Sequence, residues 1–319
     1  MTLQSGGLSR QEASLPSIPT PQSHESGLFP PADPWRRLLY RYWPSQRLKM
    51  DPLAGHSVDG RYFPITIANW KLIPPVACLL LARRVAHPLD FEQGRRLTIV
   101  IPFRDREAHL AELLPPLTAM LASQGVVARI LVVEQEPGRP FNRGKLINVG
   151  FAYAADSTDY YCIHDVDAIP VRANYLCPSQ PLRLVNHLLS TERPEELCPT
   201  HYFSGAISIL KEQVEAVNGF SNEYWGWGKE DDEFLFRLQL AGHLCYYDSE
   251  GAYHDLPNPR AQQPASPASP SGYTKANRAR RSLLVRGLMS TAEDGLSTLK
   301  YRLLAAEDRG HHERIRVAI

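Results

Sequence analysis

An α/β fold, with a mostly parallel central sheet flanked by helices, is what this sequence predicts, and three observations carry the prediction. Short apolar runs rich in β-branched residues, at 97–101, 129–134 and 160–163, alternate with helical stretches, the order that builds parallel sheets. Chemistry-bearing residues at 102–106 and 165–167 directly follow two of those runs, and such sheets bind ligands beyond the carboxyl ends of their strands. The chain has 319 residues, 43% of them hydrophobic, enough for a substantial core in one large domain.

Taken in order, residues 1–34 read as a disordered Pro- and Ser-rich tail. Residues 35–96 form an N-terminal accessory segment. Its start combines Trp35, Leu38, Leu39, Tyr42 and Trp43 with Arg36, Arg37, Arg41, Arg47 and Lys49. That patch suits packing on the main domain or, through residues 35–49, peripheral contact with a membrane. The main domain is expected over 97–319. After the first strand comes a helix over 107–123, interrupted by Pro115 and Pro116, then the second strand. A helix carrying Leu146, Val149 and Tyr153 leads to the third strand. Residues 202–210 read as a strand with a glycine break, 211–218 as a helix, and 256–272, holding five prolines, as a flexible loop. An apolar helix near 283–289 and a strand near 315–319 close the chain.

Bulk properties exclude several classes. A net charge of +1 removes the electrostatic case for nucleic acid as a partner. Five cysteines without a CxxC pair argue against a zinc ribbon or a thioredoxin-type site. The longest apolar run, 74–82, falls far short of the ~20 residues of a spanning helix. With no basic-then-apolar leader in view, the expected location is cytoplasmic, at most peripheral to the inner face of a membrane.

The densest chemistry lies at 224–233, Tyr-Trp-Gly-Trp-Gly-Lys-Glu-Asp-Asp-Glu. Phe234, Leu235, Leu238 and Ala241 follow at helical spacing, so Glu230, Asp231 and Asp232 fall in the first turn of a helix. There the macrodipole and free N–H groups favour ionised carboxylates. A plain acidic cap needs no Trp-Gly-Trp-Gly before it, whereas indole faces and glycine turns suit a sugar. Asp165 and Asp167 alternate on extended backbone, so both can address one ligand. Hard oxygen ligands on a loop suit Mg²⁺ or Mn²⁺ carrying a diphosphate, and His254 as an imidazole ligand favours Mn²⁺. Arg104, Arg106, Arg143 and Lys145 are either phosphate partners or solvated loop cations. Phe103 and Phe141 either stack on a base or belong to the core. Together the pieces suggest a metal-held nucleotide diphosphate beside a sugar site.

Four stretches in this order, Ile101-Pro102-Phe103-Arg104-Asp105-Arg106, Phe141-Asn142-Arg143-Gly144-Lys145-Leu146, Asp165-Val166-Asp167 and Trp225-Gly226-Trp227-Gly228-Lys229-Glu230-Asp231-Asp232, closely resemble the β-1,4-galactosyltransferase family, including its xylose-directed branch. The resemblance runs from about residue 97 to the C-terminus. It implies a GT-A fold over 97–319 and an inverting, Mn²⁺-dependent transferase (Mg²⁺ as the other candidate) moving galactose from UDP-galactose to a sugar hydroxyl of a glycan through a β linkage, β-1,4 on the family's pattern. By position, Pro102, Phe103, Arg104, Asp105, Arg106, Phe141, Asn142, Arg143, Asp165, Val166, Asp167, Trp227 and His254 would hold the donor, with Asp167 and His254 on the metal. Lys229, Glu230, Asp231, Asp232 and Tyr202 would line the acceptor pocket, and Asp231 matches the general base. The sequence departs from the family at a third metal ligand, where Gly251 and Ala252 stand; Glu250, Asp248 or water is expected in its place. Cys162 and Cys177 stand near a family disulfide pair and are expected reduced. The alternatives are the same scaffold using UDP-GalNAc or UDP-glucose, and a catalytically weak glycan-binding module.

Overall fold

The computed structural model describes residues 61–64, 89–189, 196–197, 203–226, 228–257 and 271–319. Tyr202, Trp227, the tail, the patch at 35–49 and most of the Pro-rich stretch lie outside these. The first half of the fold runs β1 (Tyr62–Pro64), β2 (Phe91–Glu92), β3 (Leu97–Phe103), α1 (Glu107–Ser123), β4 (Ala128–Gln135), α2 (Arg143–Ala154), β5 (Tyr160–His164), β6 (Ala168–Arg172), β7 (Cys177–Pro178) and β8 (Leu182–Arg183). The second half runs β9 (His187–Leu189), β10 (Glu196–Leu197), β11 (Ala206–Leu210), α3 (Lys211–Ala216), α4 (Glu230–Leu240), β12 (Tyr246–Asp248), β13 (Ala252–Asp255), α5 (Ser271–Val285), β14 (Arg302–Asp308) and β15 (Glu313–Ala318).

Nine strands form the main sheet in the order β1-β12-β8-β11-β5-β3-β4-β15-β14, and β10-β9-β13-β6 form a smaller one. The α/β class holds, and parallel pairing is concentrated at the centre. There β5, β3, β4 and β15 run parallel, whereas β11, β14 and β1 pair antiparallel with their neighbours. Because β3 lies between β4 and β5, the chain reverses its direction of travel across the sheet there. The carboxyl ends of these strands therefore open onto one crevice.

Every residue of β3 is buried, as a parallel strand covered on both faces must be. Ile99, Ile101 and Phe103 pack with Leu110, Leu113, Leu117 and Leu121 of α1. Val100 faces the other core, with Leu146, Val149, Ile163 and Phe234. Each large apolar side chain so buried contributes about 1.5–3 kcal/mol. Close approach is part of this design: a Cβ on Gly150 of α2 would lie 2.4 Å from Val100 Cγ1.

Several expected boundaries are corrected. Pro115 and Pro116 do not interrupt α1, which is continuous over Glu107–Ser123. The lost N–H groups would have served the carbonyls of Ala111 and Glu112, which are exposed, and the Thr118 hydroxyl donates to Leu114 O at 2.8 Å. The final helix begins at Ser271 rather than near 283. Strand β14 was not anticipated, because Leu-Leu-Ala-Ala-Glu favours helix and becomes strand by pairing with β15. The accessory segment also reaches into the fold. β1 adds to the sheet edge beside β12, and Arg61 forms a two-pronged ion pair with buried Asp248 at 2.7 Å. Cys162, Cys177 and Cys245 are buried and free.

Candidate active site

The loops after β3, β4 and β5 build one wall of the crevice. Arg104 donates to Arg139 O at 2.8 Å, and its guanidinium lies 5.2 Å from the centre of the half-buried Phe141 ring. Phe103, by contrast, is fully buried with Ile99 and Ile101 against α1, and Arg314 lies 4.7 Å over its ring. Strand alternation sends it inward, so of its two expected roles the core one applies, and base stacking is corrected. Pro102 and Val166 are buried as well, so their side chains offer little surface to a ligand. Asp105, which follows the strand, sits in the left-handed region at φ 53°.

Asn142 is buried and joins three segments. Its side chain caps α2 by accepting from Lys145 N at 2.9 Å and donates to Asn222 O at 2.7 Å, while its own N–H donates to Gln135 Oε1 at 2.9 Å. The cap leaves the N-terminal N–H groups of α2 at the carboxyl edge of the sheet, where they favour negative charge.

Arg143 then becomes the hub. Its Nε donates to Asp165 Oδ1 at 2.7 Å and its Nη1 to Asp231 Oδ1 at 2.5 Å, with Glu230 Oε1 at 3.9 Å from Nη1. Burial alone would disfavour its charge, but the Asp165, Asp231 and Glu230 carboxylates overcome that and push its pKa up. Its Nη2 is buried and finds no acceptor among the described residues. Three stretches widely separated in sequence thus meet on one guanidinium.

The glycine-rich approach to α4 is read by geometry. Gly226 (φ 74°) donates to Phe141 O at 2.8 Å, joining this segment to the β4–α2 loop. Lys229 caps α4 at φ 83°, a strained value for a non-glycine. The four acids that follow divide their work. Glu233 pairs with Arg237 inside the core at 2.7 Å, and Asp232 binds Lys229 at 2.7 Å with Arg281 at 3.9 Å. Only Glu230 and Asp231 face Arg143. Burial first, and then the neighbouring carboxylates, raise the pKa of both; for Asp231, Arg143 and a hydrogen bond with Ser204 act in the opposite direction. Asp231 is therefore a carboxylate of raised proton affinity in a dry setting. Trp225 is half-buried, with Arg139 4.0 Å and Lys145 6.0 Å from its ring centre.

Asp167 ends the turn after β5. Burial, then Asp165 and Asp255, raise its pKa, and among the described residues it forms no ion pair, so a cation would relieve it. His254 lies on β13 in register with Ile169 of β6, two residues from Asp167, and its Nδ1 is 3.1 Å from Leu189 O. No three His, Cys, Asp or Glu residues gather as a metal cluster among the described residues. One carboxylate in the β5–β6 turn and one imidazole on the strand paired with β6 nonetheless suit a Mn²⁺ that would draw its other ligands from diphosphate oxygens and water. Of the two expected substitutes for the third ligand, buried Asp248 is held by Arg61 at 2.7 Å, whereas Glu250 is half-exposed and lies 3.7 Å from the same arginine.

Sequence reasoning missed Gln135, Arg139 and Asn222. Asn222 bridges α2 to the C-terminal region, receiving from Asn142 and Asn148 and donating to Gly295 O at 2.7 Å. Asn148, polar within the otherwise apolar run 146–152, was the available signal.

Residues 78–178 match the family profile described as the N-terminal region of glycosyl transferase group 7, and 187–250 match one described as the N-terminal domain of galactosyltransferase. Together these cover more than half of the chain. It is 40% identical over 151 residues to β-1,4-galactosyltransferase 7 of Drosophila melanogaster, which is 46% of each chain. To β-1,4-galactosyltransferase 4 of Mus musculus it is 34% identical over 240 residues, 72% of this chain and 65% of the relative. The chain thus spans about half to two thirds of the length of these curated relatives. Among solved structures it resembles the catalytic domain of Drosophila β-1,4-galactosyltransferase 7 in complex with xylobiose, with TM-score 0.57 and 28% identity, covering 70% of this chain and 94% of that one. A mutant of that enzyme in complex with manganese, UDP-Gal and xylobiose matches with TM-score 0.57 and 27% identity. The fold is of the GT-A type.

Proposed function

The chain belongs to glycosyl transferase group 7, and on that premise we propose that it transfers galactose from UDP-galactose to a sugar hydroxyl of a glycan, with inversion to a β-1,4 linkage. The observation that carries this is the junction at Arg143, which ties Asp165 of the strand-end turn to Asp231 of α4. A nucleotide-diphosphate side and an acceptor side then share one guanidinium. The xylobiose and UDP-Gal complexes of the Drosophila enzyme support a xylose-type acceptor and a galactose donor.

In this reading Asp231 accepts the proton of the acceptor hydroxyl as its oxygen bonds to the anomeric carbon. The bond from that carbon to the diphosphate oxygen breaks, and UDP departs with the electron pair. One displacement inverts the anomeric centre. Burial and its acidic neighbours raise the proton affinity of Asp231, which suits a general base. Asp167 and His254 would hold a Mn²⁺, which supplies charge stabilisation to the departing diphosphate. Arg143, through its buried Nη2, offers a further donor to the same group.

The test is UDP release by the purified protein across UDP-galactose, UDP-GalNAc and UDP-glucose, with xylosides, GlcNAc and glucose as acceptors and Mn²⁺, Mg²⁺ or EDTA. Acceptor-stimulated release from UDP-galactose, lowered ~10²–10⁴-fold in Asp231→Asn with UDP binding retained, is the expected result. Glycan binding without release from any donor would replace this reading with that of a binding module.

A further inference from the structure

Beneath the site run three fully buried polar side chains that the proposed reaction does not use. His164 ends β5, Tyr175 lies between β6 and β7, and Tyr253 lies on β13. His164 Nδ1 is 2.9 Å from the carbonyl of Asp165, its Nε2 is 3.0 Å from the Tyr175 hydroxyl, and that hydroxyl is 3.3 Å from the hydroxyl of Tyr253. A carbonyl only accepts, so Nδ1 carries the ring proton. Nε2 then accepts from Tyr175, whose oxygen in turn accepts from Tyr253. The direction of every bond follows from the first. Burial pushes the imidazole pKa down to about 4, in keeping with a neutral ring.

The two ends of this chain matter. One end grips the first carbonyl of the Asp165-Val166-Asp167 turn, whose N–H is separately held by Gly205 O at 2.7 Å. The other end is the residue immediately before His254. Tyr175 is itself anchored, its N–H donating to Gln124 Oε1 at 2.8 Å and its carbonyl accepting from the Tyr160 hydroxyl at 2.9 Å. The chain therefore spans from the nine-stranded sheet, through β5, to the four-stranded sheet, through β13. It links the two segments that carry Asp167 and His254.

We infer that His164, Tyr175 and Tyr253 are positioning residues that hold the Asp165–Asp167 turn and the His254 strand in the mutual placement a divalent cation requires, an inference that rests on the function proposed above. Tyr175 is the critical link. Its truncation to phenylalanine leaves both His164 Nε2 and the Tyr253 hydroxyl buried without each other's mediation. Tyr253→Phe removes only the terminal donor.

The experiment is a Mn²⁺ titration of the full chain with saturating UDP, followed by the electron paramagnetic resonance signal of free Mn²⁺. Tyr175→Phe should bind Mn²⁺ about tenfold more weakly than the unsubstituted protein, the low end of the effect of outer-shell partners. Tyr253→Phe should show a smaller loss, about threefold on the same scale. Tyr161→Phe is the control, since it deletes an equally buried hydroxyl bonded to Phe151 O at 2.9 Å, away from the site. It should keep full Mn²⁺ affinity, with thermal melts in EDTA showing that each variant is folded. If Tyr175→Phe does not fold, Tyr253→Phe carries the comparison. Binding by the folded variants within about twofold of the unsubstituted protein, or an equal loss in Tyr161→Phe, overturns the inference while leaving the function standing. Absence of Mn²⁺ binding in the unsubstituted protein overturns the inference together with the Mn²⁺ site of the proposed function, while galactosyl transfer itself stands or falls on UDP release.

Discussion

Arg143 makes one carboxylate bond with its Nε and another with its Nη1, a division of labour that a lysine ammonium cannot copy, being a point charge on a flexible stem. Arg143→Lys should therefore keep a cation in the site yet lower kcat/KM by about 100-fold through loss of one bridge. Arg143→Met should in addition lower stability by about 3–5 kcal/mol, because buried acids lose their partner. UDP-release kinetics and urea unfolding read the two effects separately. His164 gives a second prediction at this scale. Its folded pKa of about 4 lies below the ordinary 6.5, so between these values the unfolded chain takes up a proton that the folded one refuses. Its contribution is present above pH 6.5 and is lost as pH falls toward 4, at about 1.4 kcal/mol per unit. Unfolding free energies measured from pH 7 to 4 should fall more steeply for the unsubstituted protein than for His164→Gln. Parallel curves would refute this. At this scale the sequence was informative about residue type and silent about pairing. Asp231 and Asp232 are adjacent and identical, yet one faces Arg143 and the other Lys229, because the helical turn of 100° per residue sends them to different neighbours.

Elements were legible where their periodicity reported burial. β3 and β5 read as continuous apolar runs because they are covered on both faces. α1 defied its two prolines, since their cost fell on carbonyls at the exposed side, and β14 defied its helical propensity through pairing with β15. Close packing of α2 on β3 sets where Asn142 and Arg143 stand at the helix start. Gly150→Ala would drive a methyl group to 2.4 Å from Val100 Cγ1, and overpacking of this kind costs about 1–3 kcal/mol. Urea denaturation should show that loss, together with reduced kcat/KM as the helix start shifts. Gly150→Ala combined with Val100→Ala should regain part of the activity, and no recovery would count against the packing account.

At the scale of the whole molecule, the site is assembled from the parallel centre of one sheet, the edge of a second sheet, and α4. A donor and a cation that both occupy this junction should stabilise the protein together. UDP with Mn²⁺ at about 100 times Kd should add about 2.7 kcal/mol, with either alone adding less. Thermal melts with UDP, Mn²⁺, both, or EDTA measure this, and equal shifts for UDP with and without Mn²⁺ would argue against a shared site.

The sequence by itself determined the class of fold, the strand ends where chemistry would sit, and the residue types of the site, because these depend on local periodicity and on short spacings along the chain. Only the tertiary structure decided that Phe103 serves the core while Phe141 lines the crevice, that Arg61 removes Asp248 from any ligand set, and that Arg143 joins Asp165 to Asp231 across 22 and 88 residues of chain. Partner choice among distant side chains depends on how sheets and helices pack in space, and nothing in local sequence encodes that separation.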